Sequence, residues 1–207
     1  MQFSEADRDV LFEILRWRRD VRHFRPDPVE PDTLALLRRS LALAPSVGNS
    51  RPWRVVEVAS PGLRAAILGN HEACNASAAE AYEGERRDLY GSLKLAGLRE
   101  APVHLAVFTD LAPAEGHGLG RRTMPQTLAY STVAAIHTLW LAARALNLGV
   151  GWVSILDPDA VARLLAAEPS WRLTAYLCVG YPQADDDTPE LARRGWQEDV
   201  EAAWTVR

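Results

Sequence analysis

The sequence predicts one α+β domain over residues 1–207. Three observations carry that prediction. Four short segments are rich in β-branched and aromatic residues. The stretches between them show helical periodicity. The two kinds alternate unevenly, with no regular strand–helix–strand beat and no repeat or linker. At 207 residues, 48% of them hydrophobic and 24% charged, the chain can bury a proper core.

Ser4 and Asp7 have capping-box spacing, and Val10, Leu11, Ile14 and Leu15 recur at helical intervals, so residues 5–18 should form an amphipathic helix. Pro26 and Pro28 end that region. A second helix starts at Pro31–Asp32, carries Leu34, Leu37 and Leu41 on one face, and stops before Pro45. "WRVVEVAS" reads as a strand. The Ala-rich residues 63–96 read as helices broken near Gly84 or Gly91, and "VHLAVFTD" as a second strand. Residues 111–125 form a long glycine-containing loop, and 126–147 a central helix. "GVGWVSIL" is a third strand, 158–167 a short helix, and "RLTAYLCVGYP" a fourth strand before a polar, acidic tail.

The formal net charge of −4 argues against general affinity for nucleic acid or an anionic membrane. Cys74 and Cys178 stand far apart without a CxxC, which points to packed, reduced thiols rather than a metal or disulfide framework. The N-terminus lacks an apolar signal core. The longest apolar stretch is interrupted by His137, Arg144 and Asn147 and reads as a buried helix rather than a membrane span, so a cytoplasmic location is expected.

"RWRRDVRHFRPDP", residues 16–28, sets five arginines around Asp20. It reads either as cations meeting a helix C-terminus or as a guanidinium grip on a phosphomonoester. Arg18 and Arg22 would share a face if the helix continued, with Arg19 adjacent. "APSVGNSRPW", residues 44–53, offers Ser46, Asn49 and Ser50 around Gly48, and equally suits a plain loop of turn residues. "GHGLG", residues 116–120, lacks both the Lys-Ser/Thr of a P-loop and the setting of a dinucleotide fingerprint. No metal-ligand spacing joins His23, His71, His104, His117 and His137, for which structural or surface roles are expected. Ser154 sits in an apolar strand and lacks the G-x-S-x-G of a hydrolase elbow.

In order, "RRDVRHF", "PSVGNSRPW", "GVGW" and "VGYP" resemble the FMN-dependent nitroreductase family. Longer pieces, among them "YEGERRDLYGSLKLAGL", "HGLGRRTMPQT", "SWRLTAYLCVGYP" and "PELARRGWQ", resemble a branch of it that breaks flavin apart, and together the matches run from residue 16 to 197. The resemblance implies a mainly antiparallel central sheet flanked by helices, in an intertwined homodimer whose C-terminal tails pack on the partner. It implies that Arg18, Arg19 and Arg22, with Arg193, hold the phosphate and ribityl chain of FMN. Ser46 and Asn49 would reach the site from the partner subunit, and Lys94 or Leu95 and the Gly151–Ser154 strand would approach the isoalloxazine. One departure stands out: such proteins usually carry Gln before the Pro-Trp, where this chain has Arg51.

The implied chemistry makes reduced FMN the substrate and O2 the co-substrate. The products are 5,6-dimethylbenzimidazole, the lower ligand of cobalamin, and erythrose 4-phosphate. No metal or nicotinamide site is implied, and a separate flavin reductase would supply reduced FMN. Asp20 is the expected proton carrier, kept ionised by the flanking guanidiniums, and Ser154 is the second candidate. The loop around "HGLGRRTMP" is expected to exclude solvent as a lid. The same family also fits an NAD(P)H nitroreductase or flavin reductase, or a protein that only binds flavin.

Overall fold

A computed structural model describes residues 1–93 and 96–207, so the predicted contacts of Lys94 and Leu95 lie outside the described residues. The four predicted strands form one sheet: β1 (Trp53–Glu57), β2 (Val103–Asp110), β3 (Gly149–Val153) and β4 (Trp171–Gly180). Their order is β1-β2-β4-β3, antiparallel at every pairing. Three strands end sooner than the sequence predicts: β1 at Glu57, β4 at Gly180 and β3 at Val153, the last of which leaves Ser154 beyond the sheet rather than within it.

Both faces of the sheet are covered, which explains why its strands read as nearly continuous apolar runs. Along β2, Val103 and Val107 face one core while Ala106 and Phe108 face the other. On β4, Ala175, Leu177 and Val179 alternate with Tyr176 and Cys178 in the same way. Helices α2 (Pro31–Leu41) and α6 (Thr127–Ala145) close the first face through Leu37, Ile136, Leu139 and Ala143. Helices α3 (Pro61–Ala79), α5 (Gly97–Glu100) and α7 (Pro158–Leu164) close the second through Ile67, Leu98 and partly buried Ala162.

Local rules set most of the helix starts. The Ser4 hydroxyl accepts the Asp7 N–H and the Asp7 carboxylate accepts the Ser4 N–H, the predicted capping box of α1 (Glu5–Trp17). Asp157 caps α7 by accepting from Asp159 and Ala160 N–H. The Ala-rich helical region breaks between Ala79 and α4 (Gly84–Ser92), next to Gly84 as predicted.

At the end of α7, Ala166 adopts φ +50° while the Ala167 N–H donates to Ala162 O at 3.0 Å. A left-handed residue of this kind costs an alanine about 1 kcal/mol and a glycine far less. Ala166→Gly is therefore expected to raise stability by roughly 0.5–1 kcal/mol, read as an upward shift in thermal midpoint.

In the second core, His104 Nδ1 lies 2.9 Å from the Tyr176 hydroxyl. Burial, with the Arg64 guanidinium nearby, pushes His104 down to about 4. The folded state thus holds the neutral imidazole, and the sign follows. The stability this contributes is complete above the ordinary value near 6.5 and is lost as pH falls towards about 4. The loss amounts to about 3 kcal/mol. Urea unfolding between pH 7 and pH 4 should show it, and His104→Gln should flatten the slope over that interval.

After β4 the chain turns back across its own subunit. Gln183 donates its N–H to His23 O at 3.1 Å and its side-chain amide to Phe24 O at 3.1 Å. Helix α8 (Glu190–Arg193) follows, and Trp196 then packs edge-on to Tyr82, with Arg86 4.1 Å above its ring. Through Trp196 the tail packs on Tyr82 and Arg86 of its own chain. The acidic run Asp185–Asp187 complements the arginine run near residue 20, and that pairing of charge draws it back.

Candidate active site

Helix α1 stops at Trp17, and Arg18 is already extended, its N–H donating to Ile14 O. The predicted shared helical face for Arg18 and Arg22 is therefore not formed. Residues 18–24 run beside the free edge of β3: Asp20 bridges to Val150 in parallel, and the Val21 N–H donates to Val150 O at 3.0 Å. An extended segment sends neighbouring side chains to opposite sides, so Asp20 and Arg22 share a side that Arg19 and Val21 do not.

This packing depends on Gly151. Any Cβ there would run into the Val21 carbonyl oxygen, so the chain can lie against β3 only where residue 151 has no side chain. On the side where its Cβ would be, Gly151 is covered by Val21, and the missing side chain lets that segment dock.

Docking brings the Asp20 carboxylate to the Trp152 N–H, which donates to Oδ1 at 2.8 Å. Its other oxygen, Oδ2, lies 3.8 Å from Arg22 Nε. The flanking guanidiniums favour the carboxylate, but they do not set the direction of its shift. Burial raises the Asp20 pKa and outweighs the Trp152 N–H and Arg22, and the like charge of Glu190 adds to the rise. Asp20 is a carboxylate with increased proton affinity, although its side chain remains 38% exposed to the adjoining cavity.

That cavity has a volume of about 260 Å3. Arg18, Arg19, Arg22 and Arg193 all line it, as do Arg144 and Arg194. Four acids, Asp20, Asp185, Asp186 and Glu190, reduce the six positive charges to a net of two when all are ionised. Arg18 stacks over Trp140 with 5.0 Å between Cζ and the ring centroid, and the Trp140 indole donates to Arg19 O. Arg19 donates to Asp187 O, and Arg193 lies 3.0 Å from Asp186. Arg22 differs from these: its side chain is 10% exposed, and its buried Nε has no hydrogen-bond partner among the described residues.

The other predicted site residues lie elsewhere. Ser46 accepts the Arg51 N–H at 3.1 Å, and the Val47 N–H donates to Ser131 Oγ on α6 at 2.9 Å. Gly48, Asn49 and Arg51 all have positive φ, so this loop is tightly wound, and a Cβ on Gly48 would come within 2.9 Å of Gly116 O. Ser46 and Asn49 do not line the Asp20 cavity. Ser154 is exposed, two residues past the amide that holds Asp20. Sequence reasoning did not find Trp152, Trp140 or Glu190. Only the charge match between "RWRRDVR" and "ADDDTPE" hinted at the last.

The nitroreductase family model matches residues 15–181, from the arginine segment to the end of the sheet. The chain belongs to the nitroreductase family. Within it, the chain is 58% identical to a 5,6-dimethylbenzimidazole synthase of Rhodobacter capsulatus over the full length of both. It is 54% identical to a Rhodospirillum rubrum protein of the same name, covering 94% of this chain and 92% of that one. Among solved structures, oxidised iodotyrosine deiodinase bound to FMN and 3-iodo-L-tyrosine superposes with a TM-score of 0.75 at 23% identity, covering 95% of this chain and all of that one. That likeness confirms the nitroreductase fold, with its antiparallel sheet between helical layers. Among the described residues no helix is long and apolar enough to cross a membrane, and no group of three or more His, Cys, Asp or Glu could hold a metal ion.

Proposed function

We propose that this nitroreductase-family protein is an aerobic 5,6-dimethylbenzimidazole synthase, taking reduced FMN as substrate with O2 and releasing erythrose 4-phosphate. The observation that carries this reading is the 58% identity, end to end, with the Rhodobacter capsulatus synthase. The site's chemistry supports it. A cavity with two net positive charges suits a phosphate dianion, and its volume suits the phosphate–ribityl end of FMN rather than the whole molecule.

In this reading Arg22 and Arg18 hold the phosphate, with Arg19 and Arg193 released from tail carbonyl and carboxylate as it enters. Asp20, fixed by the Trp152 N–H, removes a proton from the ribityl chain and returns one during carbon–carbon cleavage. Its raised proton affinity makes it a stronger base than an exposed aspartate. Ser154 serves at the ring edge. The loop at residues 117–125 excludes water.

The active form is a homodimer supplied by a separate flavin reductase, with Ser46 and Asn49 completing the partner's site. Their position outside the Asp20 cavity supports this, as do exposed Val10, Leu11 and Phe12 on α1 and Tyr130 and Val133 on α6. Product analysis of one aerobic turnover of photoreduced FMN tests the reading, with 5,6-dimethylbenzimidazole the expected product. Intact flavin together with rapid NAD(P)H oxidation would establish a nitroreductase or flavin reductase instead.

A further inference from the structure

Arg22 is shared between two carboxylates that are 170 positions apart in the chain. Its Nε lies 3.8 Å from Asp20 Oδ2 and 3.6 Å from Glu190 Oε2, and makes a hydrogen bond with neither. Charge-assisted N–H···O bonds close to about 2.8 Å when one acceptor is free to take the donor. A buried guanidinium held short of that distance from two acids is balanced between them. The other oxygen of Glu190, at the first position of α8, lies 3.6 Å from Arg194 Nε, so a second guanidinium also draws on it.

We propose that Glu190 is a positioning residue: by competing for Arg22, it keeps that guanidinium from closing onto Asp20 and leaves the Asp20 Oδ2 free to exchange a proton with the ligand in the cavity. The proton-exchange half of this statement rests on the function proposed above; the competition for Arg22 does not.

Among the described residues, the charged and titratable groups around Asp20 fit this assignment. Its own segment presents Arg18 and Arg22, and β3 presents the Trp152 N–H. From β4 comes the Cys178 thiol, pushed up to about 12 by burial and therefore neutral. From α8 comes Glu190, whose like charge raises the proton affinity of Asp20 where Arg18 and Arg22 lower it. Glu190 also explains why one arginine of this cavity has an unsatisfied buried nitrogen. A second acid stops it from pairing with the first.

The test reads the Asp20 carboxyl carbon by 13C NMR titration in the ligand-free protein, with the signal assigned by its loss in Asp20→Asn. In Glu190→Gln, Arg22 should close on Asp20, and the midpoint should fall by about one pH unit. The acidic limb of single-turnover product formation should move the same way, with the rate at neutral pH down roughly tenfold. Glu190→Asp, which keeps the charge, should retain the wild-type midpoint. Arg194→Gln should raise it, because Glu190 is then free to draw Arg22 further away. An unmoved Asp20 midpoint in folded Glu190→Gln overturns the proposal. If that variant does not fold, an unmoved or lowered midpoint in Arg194→Gln overturns it. A shifted midpoint in a protein whose wild type makes no benzimidazole leaves the competition standing and removes the synthase reading.

Discussion

Asp20→Asn is expected to bind reduced FMN with an affinity close to that of the wild type and to form 5,6-dimethylbenzimidazole about a thousandfold more slowly. The amide keeps an oxygen for the Trp152 N–H, so the 18–24 segment stays docked on β3. The cavity arginines stay where they are. What is lost is the group able to take and return a proton, a contribution of roughly 10^2–10^4 in general acid–base catalysis.

The same substitution should not weaken the fold. Burial raises the Asp20 pKa, so the folded state disfavours the charge that neutral pH imposes on it. For a raised carboxylate, folding is favoured below the unfolded pKa and penalised as pH rises through the folded one. Asn removes that penalty, and the thermal midpoint at neutral pH should hold or rise. A simultaneous fall in activity and stability would point to a structural role for Asp20. Unchanged product formation would remove it from the mechanism altogether.

Gly151→Ala is expected to lose both stability and activity. Its methyl group would clash with the Val21 carbonyl oxygen, which is backbone and cannot rotate away. Relief requires the 18–24 segment to move off β3, breaking the Val21-to-Val150 hydrogen bond and the Trp152-to-Asp20 hydrogen bond. Overpacking of this kind costs about 1–3 kcal/mol, and each broken buried hydrogen bond adds about 1 kcal/mol. Chemical denaturation measures the first effect. Product formation at a temperature where the variant is still folded measures the second, which should approach the Asp20→Asn level. A stable, active Gly151→Ala would mean that Val21 does not cover this glycine.

Much of the fold could be read from the sequence because its signals are local. Alternation along "VHLAVFTD" and "RLTAYLCVG" follows from the two-residue period of a strand. The Ser4–Asp7 box follows from the geometry of one helical turn. The arginine segment could be read as a charge cluster, and Asp20 was recognisable as the acid among cations. The helix was expected to run through Arg18, and the guanidiniums were expected to hold Asp20 ionised. The helix ends one residue sooner, at Trp17, and burial raises the proton affinity of Asp20 against the pull of the guanidiniums, because neither the end of α1 nor the burial of residue 20 is encoded within one turn of it.

By itself, then, the sequence determined the four strands, most of the helix boundaries, and the residues able to carry charge into a site. Only the tertiary structure decided how those charges act. Whether Asp20 is depressed or raised depends on the Trp152 amide, 132 residues away, and on the depth at which β3 buries it. Whether Arg22 is a partner for Asp20 or is held back from it depends on Glu190, which the returning tail delivers. Propensity and pattern act over a few residues along the chain. Desolvation and Coulomb energy act over a few ångströms of space, and only the completed fold converts one distance into the other.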